Sequence, residues 1–224
     1  MQRPPIRVVV VDDAYLVRAA VTHLLEGAPS IDVVGEGEDA RAVPALVDQQ
    51  RADVVITDIR MPPTGEDEGI RLAAALRRSH PALGVIVLST YAEVAYALRL
   101  FEHGADSRAY LLKDRIRDRS QLVHAVETVA DGGFVVDPTI VEQLVHAHRQ
   151  DTGSALHELT ARELETLRLV AEGQSNAAIA ERLTLTKRAV EKHVNAIFAK
   201  LDLGDPDQVS RRVMAALLYL RERP

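Results

Sequence analysis

Five short runs rich in β-branched residues alternate with five amphipathic segments over residues 6–131, and this alternation limits the fold more than any other property of the chain. The runs are IRVVVV (6–11), DVVGEG (32–37), ADVVIT (52–57), LGVIVLST (83–90) and RAYLLK (108–113). Helical patterns come after them at 14–26, 39–50, 67–79, 92–103 and 119–131. Strict strand–helix alternation predicts an α/β doubly wound fold, a five-stranded parallel sheet with helices on both faces. Gly27, Gly104 and the Gly132–Gly133 pair stand where helix C-termini favour a left-handed residue.

The polar residues at the ends of these runs point to chemistry. The first run leads into Asp12 and Asp13, the third into Asp58, the fourth into Ser89 and Thr90, and the fifth into Lys113. Open parallel sheets bind ligands beyond the carboxyl ends of their strands, so these groups converge on one edge. A single polar residue at a strand end is usually just solvated; three carboxylates, a hydroxyl and an ammonium at matching ends predict a site. Clustered carboxylates repel unless a cation sits among them, and ligands made only of oxygen suit Mg²⁺. Asp58, at the centre, is placed to attack a phosphoryl group, with Ser89 and Lys113 ready to hold the phosphoryl oxygens.

From residue 137 onward the pattern is helical. Asp137 is an N-cap with Pro138 at the first helical position, and RQDTGSAL (149–156) reads as a linker. His146, His148 and His157 nearby read as solvated histidines rather than metal ligands. In 159–203, Thr160 and Glu163 form a capping box, Gly173 ends one helix, Ser175 caps a second, and TLT turns into a third capped by Thr186. That is a helix-turn-helix. On the third helix Val190, Val194, Ile197 and Leu201 make the buried stripe, and Arg188, Glu191, Lys192, Asn195 and Ala199 make the opposite face. Arg, Lys and Asn read base edges and phosphates, so this face is the one suited to a DNA major groove. Thr186 and Lys187 lie at its start and Lys200 at its end, where Lys200 either meets a phosphate or favours the helix dipole. The final segment has Asp205 as N-cap, Pro206 at N1, and an apolar face of Val209, Val213, Ala216, Leu217 and Leu220.

Charge is unevenly spread. Residues 157–224 hold 11 Lys and Arg against 10 Asp and Glu, whereas the preceding 156 residues hold 16 against 23. Within 182–200 there are five basic residues and one acidic. Such a chain does not coat nucleic acid, but it accommodates one local DNA-reading element. With no cysteine, disulfides and thiolate metal sites are excluded. The apolar run near the start is too short for a signal peptide or a membrane span, so a cytoplasmic protein without membrane attachment is expected.

These motifs resemble a known family. Residues 6–131 resemble a bacterial response-regulator receiver domain, which implies a flavodoxin-like sheet. Asp12–Asp13 are similar to its metal-binding acidic pair, Asp58 to the phosphoacceptor, Ser89 to the conserved hydroxyl residue, Lys113 to the conserved lysine and Tyr110 to the aromatic switch position. The resemblance implies Mg²⁺ held by Asp12, Asp13 and Asp58, and a phosphoryl group delivered from a histidine of a sensor kinase. Residues 159–201 resemble the LuxR-type DNA-binding domain through Leu159, Thr160, Arg162, Glu163, Gly173, Ser175, Asn176, Ile179, Ala180, Leu183, Val190, His193, Val194, Ile197, Lys200 and Leu201. Glu191 departs from the lysine that many members carry. The whole chain therefore resembles a NarL/FixJ-type response regulator: a receiver over 1–131, a linker helix and linker over 132–156, and an all-α four-helix helix-turn-helix domain over 157–224. The resemblance also implies double-stranded DNA as a partner and a homodimer formed on phosphorylation. MPPTGEDEG (61–69) is about three residues longer than the family's loop, and Glu66, Asp67 and Glu68 are expected either to cap the next helix or to bias partner choice. Two rivals remain: an aspartate-nucleophile phosphohydrolase, which would need an acid where Arg60 stands, and a regulator of the same architecture that ignores phosphate.

Overall fold

The computed structural model describes residues 4–116, 118–147, 155–201, 203 and 211–222. The chain divides into two compact units, residues 1–92 with 107–135 and residues 93–106 with 136–224.

In the first unit β1 (Ile6–Val11) leads to α1 (Tyr15–Leu25), and β2 (Ile31–Gly37) to a 3₁₀ turn and α2 (Val43–Gln50). Next come β3 (Val54–Asp58), α3 (Glu68–Ser79) and β4 (Gly84–Ser89). After α4 (Val94–Phe101), which groups with the second unit, come β5 (Arg108–Leu112) and α5 (Arg119–Ala130). The sheet order is β2-β1-β3-β4-β5-β6, with parallel pairing from β2 through β5. The sixth strand, β6 (Phe134–Val136), corrects the expected count of five. Three residues behind a glycine pair are too few to show a period, and only the neighbouring edge of β5 makes them a strand.

Both faces of the central strands are covered, which is why they read as unbroken apolar runs rather than alternating ones. Val8 and Val10 of β1, Ile56 of β3 and Ile86 and Leu88 of β4 pack with Val21 and Leu25 of α1 and Leu122, Val126 and Val129 of α5. Each such side chain contributes about 1.5–3 kcal/mol on burial. The parallel register sets Asp58 beside Leu88, one residue before Ser89, so the strand ends that carry function lie level with each other. The segment expected as one helix over 39–50 is broken. Asp39 accepts a hydrogen bond from Arg41 N at 2.8 Å to start a 3₁₀ turn, and Pro44 sits in the first turn of α2.

The second unit also holds α6 (Pro138–Ala147), a 3₁₀ turn at Ala155–Glu158, α7 (Ala161–Ala171), α8 (Asn176–Leu183), α9 (Lys187–Lys200) and α10 (Arg211–Glu222). Asp137 caps α6 through Thr139 N at 2.8 Å. The expected capping box of α7 forms: Thr160 Oγ1 accepts from Glu163 N, and Glu163 Oε2 accepts from Thr160 N at 2.7 Å. Ser175 and Thr186 cap α8 and α9 through Ala178 N and Ala189 N. Between those helices Thr184 takes a left-handed conformation at φ 54°, which makes the turn tight. Leu167 of α7, Ile197 and Leu201 at the end of α9, and Ala215 and Tyr219 of α10 form the core. Val213 and Ala216 are buried as well. Asp205, Pro206, Val209 and His148 lie outside the described residues, as do the side chains of His146, His157, Leu217 and Leu220.

Candidate phosphoacceptor site and nucleic-acid interface

β1 and β3 end side by side, and their last residues bring the acidic groups together. Asp12, Asp13 and Asp58 each offer a carboxylate oxygen, and these oxygens lie within 4.8 Å of one another. Asp12 is buried, Asp13 exposed and Asp58 between the two. All the donors are hard oxygens, with no nitrogen or sulfur among them, a set that fits Mg²⁺.

Lys113, at the end of β5, completes the site from 101 residues away, with Nζ at 2.7 Å from Asp12 Oδ2 and 2.9 Å from Asp58 Oδ1. Burial pushes the Asp58 carboxyl above the usual carboxylate range, with the Asp12 charge adding to the rise; the Lys113 ammonium opposes it without cancelling it. Burial also works against a charged Lys113, but its hydrogen bonds to Asp12 and Asp58 outweigh that, and the ammonium is held above its ordinary value. The site therefore carries its own counter-ion.

Ser89 and Tyr110 meet at a different atom. Ser89 Oγ donates to the carbonyl of Tyr91 at 2.6 Å, and the buried Tyr110 hydroxyl reaches the same carbonyl at 3.4 Å. The two residues singled out as switch positions thus share one acceptor. The Arg60 guanidinium lies 5.7 Å from the centre of the exposed Tyr91 ring, bringing the loops after β3 and β4 together.

The long loop after β3 is folded back on itself. Asp67 occupies the N-cap position of α3 without a capping side-chain bond and instead pairs with Arg71 at 2.7 Å. Glu68 is buried and accepts from Thr64 N at 3.1 Å, from Thr64 Oγ1, and from Glu66 N at 2.9 Å. Burial alone would raise the Glu68 carboxyl, but these donors hold it below its ordinary value. The acidic residues thus sit where the expectation places them, Asp67 at the N-cap and Glu68 in the first turn of α3, and Glu68 also closes the loop. Gly69 is held under Asp58, with its N–H on Ile59 O at 2.9 Å; a Cβ there would fall 1.9 Å from Asp58 O.

In the second unit, α9 buries Val190, Val194 and Ile197 and exposes Thr186, Lys187, Arg188, Glu191, Lys192 and Asn195. His193 is half-buried beside the apolar stripe. Lys200 has another partner: its Nζ lies 2.6 Å from Glu163 Oε2, tying the end of α9 to the start of α7. That ion pair, with the Thr160 hydrogen bonds, holds the Glu163 carboxyl down at about 2. Sequence reasoning missed Arg212, whose guanidinium donates to Asn176 Oδ1 at 2.8 Å and to Gln174 O, fastening α10 to the start of α8. It also missed Arg18, on α1 behind the acidic pair. Neither had a signal in the sequence beyond being an arginine on a helix.

A sheet edge with three acidic groups and a lysine, joined in one chain to a helix-turn-helix with an exposed polar face, is the arrangement of a two-domain regulator. Residues 8–127 match the family model of the response regulator receiver domain, and residues 157–213 match that of the bacterial regulatory proteins of the luxR family. The chain belongs to the response regulators with a LuxR-type DNA-binding domain. It is 31% identical over 220 residues to the transcriptional regulatory protein DegU of Brevibacillus brevis, covering 91% of this chain and 90% of that one. It is 37% identical over 204 residues to the probable transcriptional regulatory protein NarL of Mycobacterium tuberculosis, covering 91% of each. Among solved structures, the response regulator ChrA of a heme-sensing two-component system aligns over 98% of both chains, at 31% identity and a TM-score of 0.51. The RcsB–DNA complex aligns over 98% of this chain and 100% of that one, at 26% identity and a TM-score of 0.51. These relatives are transcriptional regulators rather than enzymes. Among the described residues no helix is long and apolar enough to cross a membrane.

Proposed function

We propose that this protein is a cytoplasmic two-component transcription factor in which a sensor histidine kinase phosphorylates Asp58 and thereby controls dimerisation and sequence-specific DNA binding. The observation that supports this best is the placement of Asp58 among Asp12, Asp13 and Lys113, with their charged atoms in direct reach of one another. A carboxylate oxygen of Asp58 forms the new P–O bond as the P–N bond of a donor phosphohistidine breaks, and the imidazole nitrogen leaves with a proton. Bound Mg²⁺, held by Asp12, Asp13 and Asp58, would supply neutralisation of the charge on the transferring phosphoryl oxygens. Lys113, already paired with Asp58, turns to a phosphoryl oxygen.

Phosphorylation replaces one negative charge with about −1.5 to −2 and three strong acceptors. These compete with the Tyr91 carbonyl for the Ser89 hydroxyl. When Ser89 leaves, the carbonyl it shared with Tyr110 and the loop after β4 are free to rearrange. Charge-assisted hydrogen bonds contribute about 1.5–3 kcal/mol each. Two or three of them cover the roughly 5.5 kcal/mol that inverts a 1:99 population. The output is a dimer that sets two copies of α9 about one helical turn of DNA apart. Thr186, Lys187, Arg188, Glu191, Lys192 and Asn195 face the groove, while Lys200 is committed to Glu163. The architecture runs as a receiver whose boundary, read at 131, moves past β6 at Phe134–Val136, then a connecting helix and linker to 156, and the DNA-binding domain over 157–224. The RcsB–DNA complex among the similar structures supports the DNA reading.

The test is intact-protein mass spectrometry after incubation with acetyl phosphate and MgCl₂, followed by gel filtration. The wild type gains one phosphoryl group and elutes earlier, and Asp58→Asn does neither. A wild type that gains no mass overturns the proposal.

A further inference from the structure

Arg18 lies one turn into α1 with its side chain 12% exposed. Its Nη1 donates to the backbone carbonyl of Asp12 at 2.6 Å and sits 3.5 Å from that of Asp13. Its Nε is 3.6 Å from Glu36 Oε2 near the end of β2, and the Tyr15 ring stands 5.8 Å from its guanidinium carbon. Glu36 is itself held by Thr22 Oγ1 at 3.0 Å. We propose that Arg18 is a positioning residue for Mg²⁺, fixing the β1–α1 turn so that Asp12 and Asp13 both present an oxygen toward Asp58. This rests on the reading of the three carboxylates as a Mg²⁺ site.

The turn has reason to need such a clamp. The chain must reverse direction within three residues while two adjacent carboxylates point to the same side, although neighbouring anions repel. Ala14, at the N-cap of α1, offers no side-chain cap. The Asp12 carboxylate holds the amide of the N-cap residue itself, with Oδ1 accepting from Ala14 N at 2.9 Å while Oδ2 takes Lys113. That fixes one end of Asp12, and its amide is fixed to Gly37 O at 3.1 Å. Arg18 fixes the carbonyl end and reaches on toward Asp13. A guanidinium suits the task because its separate N–H groups let it span the turn and Glu36 at once.

Electrostatics and positioning predict opposite signs for the loss of Arg18. A divalent ion among the carboxylates is repelled by the guanidinium, so on charge alone removing Arg18 tightens Mg²⁺ binding. Glu36 offsets much of that charge, and the hydrogen bonds to the turn remain. Under positioning, removal lets the carboxylates spread and weakens the binding.

The experiment titrates MgCl₂ into the full chain by calorimetry for wild type, Arg18→Met and Arg18→Lys, with thermal melts in EDTA to confirm folding. Supporting groups around a metal site typically change affinity by about 10–100-fold. Arg18→Met is expected to bind Mg²⁺ at least roughly tenfold more weakly, at the low end of that range. Arg18→Lys, which keeps the charge and loses the fork, is expected to fall between the two. Because Arg18→Lys removes no charge, its weakening reports geometry even if the methionine variant does not fold. With acetyl phosphate as donor, the half-saturating Mg²⁺ concentration rises in both variants while the plateau rate stays near wild type. Variants that bind as tightly as a Mg²⁺-binding wild type, or more tightly, overturn the role of Arg18 alone. A wild type that takes up no Mg²⁺ overturns the metal reading and this inference with it.

Discussion

Lys113 Nζ stands 2.9 Å from Asp58 Oδ1, so the proposed phosphoacceptor is paired with an ammonium before any phosphoryl group arrives. Burial has already raised the Asp58 carboxyl, and only the ionised form attacks phosphorus. In EDTA the ionisation of Asp58 should therefore fall on acidification at a higher pH than that of an ordinary aspartate, near about 3.9. Lys113 opposes that rise, so Lys113→Met moves the fall to still higher pH. Carboxyl carbon NMR shifts titrated across the acid range without metal measure both shifts.

Gly69 is required by the backbone of its neighbour. An alanine Cβ would lie 1.9 Å from Asp58 O, closer than any tolerated contact, and the clashing atom is main chain rather than a flexible tip. Forcing it in costs about 1–3 kcal/mol or more, and it displaces Asp58 from the other carboxylates. Gly69→Ala should lower the urea midpoint and reduce phosphorylation together. Gly65, with open space around its Cβ position but a φ of 73°, should show only the smaller backbone penalty.

Glu163 makes stability depend on acid. Its carboxyl sits at about 2 in the folded chain against an ordinary 4.5, so its contribution is fully present above about 4.5 and is lost as pH falls toward 2. Glu163→Gln should melt below wild type at neutral pH, and the gap should close as the solution is acidified through that window. Lys200→Ala removes one of the two donors on Glu163 Oε2, leaving Thr160 N, and is expected to cost about 1 kcal/mol by urea titration.

Lys192 and Lys200 separate reading from folding. Lys192 is exposed on the polar face of α9, whereas Lys200 is bound to Glu163. If Lys192 meets a phosphate, Lys192→Ala reduces the slope of log affinity against log salt by about 0.9. Lys200→Ala should leave that slope unchanged while lowering the melting temperature. Fluorescence anisotropy on an operator fragment at several salt concentrations gives both slopes.

Much of the site could be read along the chain because parallel strands place their carboxyl ends at one edge. A strand period followed by Asp12, Asp13, Asp58 or Lys113 therefore already implies where those residues gather. The capping box at Thr160 and Glu163 and the buried stripe of α9 were legible for the same reason, since local hydrogen bonds and helical spacing act within a few residues. β6 was not legible, because a strand of three residues has no period and exists only through the edge it joins. The place of the loop's acidic residues at the start of α3 was legible; that Glu68 turns back to Thr64 and Glu66 was not, because several donors lie within its reach and spacing does not choose among them.

The sequence alone determined the order of elements, the faces they bury and the edge where the chemistry collects, because those come from spacing along one chain. Only the tertiary structure decided that Ser89 and Tyr110 share the Tyr91 carbonyl, that Lys200 answers Glu163 and that Arg18 grips the turn behind the acidic pair. Each of those pairings is one choice among several acceptors a flexible side chain could reach, and packing in three dimensions makes the selection.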